Sequence, residues 1–269
     1  RGNSFNDDNF MIPPDVLDAF GLPHTALPLT GGQGNSWRVG DFVLKPHESA
    51  YEGISHIVNQ LQPTNFRISR HHTTLSGNYT YRGWWCTHFE LGREVTGRIT
   101  EKYHIAQELH DLLSTIQKPT NWHPSDSPWS RAHEIVWWER ALPEDIHPEI
   151  YAIIKDVMKL LKSLSLSNQI IHGDLCGNIL FHETLPPVVI DFSLDYRPRE
   201  YAEAILIADS VAWENGGSEA LALLPPNSNQ VFLRACLFRL ITKALLKPHD
   251  VRSFWERSKG YRAIIERIF

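Results

Sequence analysis

Apolar positions in the first ninety residues change period several times. Pro14-Asp-Val-Leu-Asp-Ala-Phe20 predicts a short helix, with proline at its start and Gly21 at its end. From Leu29 to Lys45 the pattern predicts two strands around glycine-rich turns, with Pro46 ending the second. Ile54, Ile57, Val58 and Leu61 then fall on one stripe, which predicts a helix over residues 49–61. Residues 66–91 return to strand character, with Ser76-Gly77-Asn78 and Arg82-Gly83 as turns. The expectation is an antiparallel sheet with one interposed helix.

After Gly92 the helical period dominates. Ile105, Leu109, Leu112, Leu113 and Ile116 form a stripe that stops before Pro119. Residues 119–130 predict a loop with three prolines. Ile150, Ile153, Ile154, Val157, Met158, Leu161 and Leu164 predict a longer helix starting near Pro148. Short apolar segments at 169–171, 179–181 and 188–190 predict strands, and residues 200–214 and 230–246 predict helices. The texture change near residue 92 divides the chain into a β-rich part, 1–92, and an α-rich part, 93–269. The fold class expected is α+β.

Composition narrows the function. The formal charge of −5 over 269 residues argues against a general nucleic-acid binder. No apolar run approaches the ~20 residues of a membrane span, and the polar stretch Arg1 to Asn9 lacks the apolar core of a signal peptide. Cys86, Cys176 and Cys236 are far apart and form no C-x-x-C, so free thiols in a reducing cytoplasm are expected.

The chemistry concentrates in Ile171-His-Gly-Asp-Leu-Cys-Gly-Asn-Ile-Leu-Phe181 and Val188-Val-Ile-Asp-Phe-Ser193. Apolar flanks hold Asp174, Asn178 and Asp191 near a core. Any one of them alone would be read as a turn cap. The ordered set supplies what phosphoryl transfer needs: a carboxylate for a hydroxyl proton, and oxygen ligands for Mg²⁺. Upstream, Gly31-Gly-Gln-Gly34-Asn-Ser-Trp37 can cradle phosphate, although no Walker A ending follows it.

This series resembles the aminoglycoside phosphotransferase and choline kinase family of the protein-kinase-like fold. The stretch H-G-D-L-x-G-N (172–178) resembles an actinobacterial-type subgroup in which three residues, rather than four, separate the Asp from the Asn. The resemblance covers roughly residues 28–215. It implies a small β-rich nucleotide-binding lobe and a larger α-rich catalytic lobe. It also implies transfer of the γ-phosphoryl group of ATP, or alternatively GTP, to a hydroxyl of a small molecule such as an aminoglycoside, sugar or amino alcohol.

In that family frame Asp174 is the base, and Asn178 and Asp191 hold Mg²⁺. Lys45 binds the α/β-phosphates, oriented by Glu52 (with Glu48 as competitor). Gly32, Gln33, Gly34, Asn35 and Ser36 cover the triphosphate, and Glu90 and Leu91 meet the adenine through their backbone. His172 supports the loop, and Asp209, on an apolar helix, braces it. Trp129 or Trp138 lines the acceptor site. No membrane or nucleic-acid partner is implied, and the oligomeric state is open. The competing reading is a nucleotide-binding regulatory module that has lost catalysis, motivated by the short loop. A protein kinase is disfavoured because no A-P-E element follows Asp191.

Overall fold

In the computed structural model, residues 12–29, 35–47, 49, 51–123 and 126–269 are described. The chain divides into two compact units, one of residues 1–60 with 69–91 and one of residues 61–68 with 92–269. The short stretch 61–68 thus belongs with the second unit, which the composition shift near 92 does not reveal.

The first unit is a sheet backed by a helix. Helix α1 (Pro14–Ala19) starts with proline in its first turn, and Gly21 follows it with φ 67°. Strands β1 (Leu27–Pro28), β2 (Trp37–Val39) and β3 (Phe42–Pro46) lead to helix α2 (Gly53–Gln60). Gly40 turns β2 into β3 at φ 61°. Further on, β5 (His71–His72), β6 (Thr80–Tyr81) and β7 (Trp84–His88) complete the sheet. Its order is β1-β2-β3-β7-β5, with β6 also on β7, and every pairing is antiparallel. Val16 and Leu17 of α1 and Phe20, which follows it, join Val39, Leu44, Trp84 and Cys86 of the sheet in one apolar cluster. The β3–β7 register sets Lys45 opposite Trp85.

The second unit opens with β4 (Arg67–Ile68), which departs from the single N-terminal sheet expected from sequence. Strand β4 pairs in parallel with β11 (Val188–Val189), and β10 (Ile179–Phe181) lies between β11 and β8 (Arg93–Glu94). A two-residue strand carries too little period to reveal its sheet. A separate antiparallel pair joins β9 (Gln169–His172) to β12 (Leu194–Arg197).

Helices make up the rest. They are α3 (Ile99–Ser114), α4 (Pro128–Val136), α5 (Pro148–Met158), α6 (Arg199–Trp213), α7 (Gly217–Leu221), α8 (Asn229–Leu246) and α9 (Val251–Ile268). Helix α8 packs against α4, α5, α6 and α9 and is buried on nearly every side, Arg234 and Arg239 included. Helix α5 ends at Met158, short of the Leu164 to which its apolar stripe runs. Helix α4 begins inside the loop expected over 119–130; Ser127 caps it by accepting from the Ser130 N–H at 3.1 Å. None of the described helices is long and apolar enough to cross a membrane.

Candidate active site

The loop 173–178 leaves β9 and enters β10, and both of its ends are pinned by backbone. The Gly173 N–H donates to the Ser193 carbonyl at 2.9 Å, and the Ile190 N–H donates to the Asn178 carbonyl at 2.9 Å. The register Ile179↔Val189 then sets Asn178 beside Ile190, one residue before Asp191. Three residues suffice between Asp174 and Asn178 because the loop closes as a turn, with the Asn178 N–H donating to the Leu175 carbonyl at 3.0 Å. Asn178 also folds back, its Nδ2 donating to the Asp174 carbonyl at 2.7 Å.

Asp174 sits at the centre of a polar network. Its side chain remains 41% exposed, while its Oδ1 accepts from Arg239 Nη2 at 2.8 Å. The same guanidinium grips Asp209 through Nε at 2.9 Å and Nη2 at 2.6 Å. Tyr261 donates its hydroxyl to Asp209 at 2.5 Å, and Trp213 donates its indole N–H to the Tyr261 oxygen at 2.6 Å. A buried guanidinium between two carboxylates is the arrangement that makes burying these charges tolerable. Burial alone would raise the Asp174 pKa, but the Arg239 charge outweighs it and holds the carboxyl below its ordinary value. Burial would lower the Arg239 pKa, and Asp209 and Asp174 instead drive it well above.

Two more residues brace the loop. His172 is fully buried, and burial lowers its pKa to about 4 against the opposing charge of Asp174. The neutral ring accepts from the Asp174 N–H through Nδ1 at 3.2 Å. Cys176 donates its thiol to Glu214 Oε1 at 2.8 Å. Lys102, buried, balances Glu214 at 2.7 Å.

Asp191 is an exposed aspartate with φ 49°. A left-handed backbone at a non-glycine residue stores strain, and such positions cluster at functional sites. The Asn178 Nδ2 bonds leave its amide oxygen available, so the local donors are an amide oxygen and a carboxylate. Hard oxygen donors of this kind suit Mg²⁺, which takes few protein ligands and fills its shell with phosphate and water. Among the described residues no group of three or more His, Cys, Asp or Glu side chains forms a metal cage, so any ion here would draw its remaining ligands from the substrate side.

The expected residues of the first unit are placed as follows. Lys45 lies on β3, and Glu90 and Leu91 follow β7. Asn35 and Ser36 precede β2, where the Ser36 carbonyl accepts from the Leu29 N–H at 2.9 Å. Gly32, Gln33, Gly34 and the competitor Glu48 lie outside the described residues. Glu52 does not sit within a helix running over 49–61, because α2 starts at Gly53; its carbonyl accepts the first helical bond, from His56. Its Oε1 accepts from the N–H groups of Tyr79 and Thr80 at 2.9 Å each and from the Thr80 hydroxyl at 3.0 Å. That oxygen is committed to bracing the strand entering β6.

Arg239 is the residue that the sequence pattern passes over. Its signal is an arginine inside a helix apolar on all sides, which demands a buried acid as partner. Asp209, on another apolar helix, is the matching half.

Several solved structures superpose on this chain. The amicoumacin kinase complex with AMP-PNP and Ca²⁺ matches with a TM-score of 0.63 at 13% identity, over 91% of this chain and 89% of that one. The GDP complex of aminoglycoside 2′-phosphotransferase-IIIa matches with a TM-score of 0.59 at 14% identity, over 94% and 97%. The choline kinase of Streptococcus pneumoniae matches with a TM-score of 0.58 at 12% identity, over 93% and 96%. The chain has the protein-kinase-like fold of these phosphotransferases. No protein-family model matches the sequence, and no curated protein matches it. Within this phosphotransferase fold, the α+β class and the order of β-rich and α-rich regions agree with the sequence expectation.

Proposed function

We propose that the chain is a small-molecule kinase of the aminoglycoside phosphotransferase and choline kinase type, moving the γ-phosphoryl group of ATP to an alcohol. The observation that carries this reading is the pinned loop 173–178, which holds Asp174 and Asn178 one strand away from Asp191. Asp174 accepts a hydrogen bond from the acceptor hydroxyl and aims its oxygen at the γ-phosphorus. The new O–P bond forms as the bond to the β,γ-bridging oxygen breaks, ADP leaves, and the hydroxyl proton passes to Asp174. The ion pair with Arg239 makes Asp174 a weak base, which suits a loose transition state in which positioning matters more than early deprotonation. Asn178 and Asp191 are the residues that would hold Mg²⁺, which supplies charge neutralisation at the phosphate oxygens when bound. Lys45 is assigned to the α/β-phosphates, the segment 32–36 to the triphosphate, and the backbone of Glu90 and Leu91 to the purine edge.

One observation favours the second reading, a nucleotide-binding module without catalysis: the carboxylate assigned as base is tied to an arginine. A calorimetric titration of ATP, with and without Mg²⁺, into wild type and Asp191→Ala separates nucleotide binding from its absence. The kinase reading expects Mg²⁺-dependent binding that the variant loses. An acceptor screen followed by Asp174→Asn then decides between the two readings. A kinase loses roughly 10²-fold or more in kcat, whereas a binding module never turns over.

A further inference from the structure

A cavity of about 420 Å³ opens between the end of α6 and α9, on the second unit. That volume is within the range of small-molecule sites. Trp213 forms one wall, 56% exposed, and Arg257, Lys259 and Arg267 line it against a single acid, Glu256. The helices approach closely there: a Cβ on Gly260 would fall 2.8 Å from Ala212. Lys243, on α8, reaches the same indole, its Nζ lying 5.4 Å from the Trp213 ring and 5.2 Å from the Tyr261 ring. Among the described residues, no ion pair engages Lys243, Arg257, Lys259 or Arg267.

The cavity wall is linked to the candidate base. Trp213 holds Tyr261, Tyr261 holds Asp209, and Asp209 with Asp174 holds Arg239. Arg239 carries one charge against the two acids of this relay and Lys243 supplies the second, so the cations in excess are those of the cavity itself, Arg257, Lys259 and Arg267. The excess runs against the chain's net charge of −5, so it is a local feature and not a reflection of composition. Arg239 and Arg257 repel the Lys243 ammonium, and Asp209 and Asp174 attract it. A cationic acceptor would meet repulsion on this approach, while an anionic one would meet unpaired cations and a flat aromatic wall.

We propose that the acceptor is an alcohol carrying an oxyanion, a carboxylate or a phosphate ester, whose anionic group is received by Arg257 and Lys259 while its body lies on Trp213. The proposal rests on the phosphotransferase reading for the fate of the hydroxyl, but the anion site itself can be tested without nucleotide.

Three probes share one ring and one primary hydroxyl: 4-(hydroxymethyl)benzoate, 4-(hydroxymethyl)benzamide and 4-(hydroxymethyl)benzylamine. Each is titrated into the full chain by ligand-observed NMR. The carboxylate is expected to bind at least about fivefold more tightly than the amide or the amine. Arg257→Gln and Lys259→Gln are each expected to remove most of that advantage and leave amide affinity unchanged. Arg257 and Lys259 are both exposed, so neither variant disturbs packing. Equal affinities, a preference for the amine, no binding of any probe, or a preference intact in both variants would overturn the proposal. ATP turnover is then measured with the same probes. Binding of the carboxylate without turnover keeps the anion site and counts against the kinase reading. Turnover of the amine alone removes the anion site and leaves the kinase reading standing.

Discussion

Arg239 donates to Asp174 at 2.8 Å from 65 residues further along the chain, and with the same guanidinium it holds Asp209. Helix α8 is thereby part of the support of loop 173–178. Replacing this residue by methionine strands two carboxylates in a half-dry site. Breaking a buried pair from one side costs about 3–5 kcal/mol. Arg239→Met is expected to lose stability of that order in urea denaturation, while Arg252→Met, on an exposed i,i+4 pair with Glu256, shifts the midpoint little.

Lys243 gives a pH signature of the opposite sense to a stabilising ion pair. Its native pKa of about 8 lies below the ordinary lysine value of 10.5, chiefly through burial. Below pH 8 both native and unfolded chains hold the proton, and the native state bears the cost of a half-buried charge. Between 8 and 10.5 the unfolded chain binds more protons, so this group makes stability rise with pH. The difference in unfolding free energy between wild type and Lys243→Met should therefore move in favour of wild type from pH 7.5 to pH 9.5, read by urea denaturation at each. A flat difference would show that the ammonium is solvated.

Gly92 has φ 152°, and a Cβ placed there would fall 2.9 Å from the Leu180 Cβ of β10. Strain in such a conformation costs of order 1–3 kcal/mol. Gly92→Ala is expected to lower the thermal midpoint by several degrees. Gly77, with φ 90° but open space around its Cβ position, serves as the control that carries backbone strain without the clash.

All three cysteines are buried. Burial pushes Cys86 up to about 12 and raises Cys176 and Cys236 further. Thiolate supply and access are thus both restricted. A disulfide reagent such as Ellman's should label the native protein slowly at pH 8 and release three equivalents rapidly in guanidinium. Fast labelling of one thiol in the native state would place a cysteine at the surface.

Much of this architecture was legible because periodicity and punctuation agree. The stripes of α3 and α6, the proline openings of α1 and α5, and the apolar flanks around Asp174 and Asp191 each announce their element. The failures have particular causes. Nothing in the sequence marks the stop of α5 at Met158, since Leu161 and Leu164 continue its period. Helix α4 hides in a proline-rich stretch, although Ser127-Pro128 is a cap followed by a favoured first residue. Helix α9 buries only Phe254, Ser258, Tyr261, Ile264 and Ile265 over its length, too sparse a stripe to be drawn from periodicity. Because α9 and α8 carry Tyr261 and Arg239, the partners of Asp209 and Asp174 stay hidden until the fold brings them together.

That separation along the chain also sets a schedule for synthesis. The loop bearing Asp174 leaves the ribosome 65 residues ahead of Arg239. At about 5–20 residues per second the delay is roughly 3–13 s. Residues 190 and 193, which pin the loop by backbone, and Asp209 all precede Arg239 along the chain, so each is made before the guanidinium that joins the two acids. A chaperone or protease that samples the emerging polypeptide would meet the acidic half of this network first. Its maturation is gated by the arrival of the later helices.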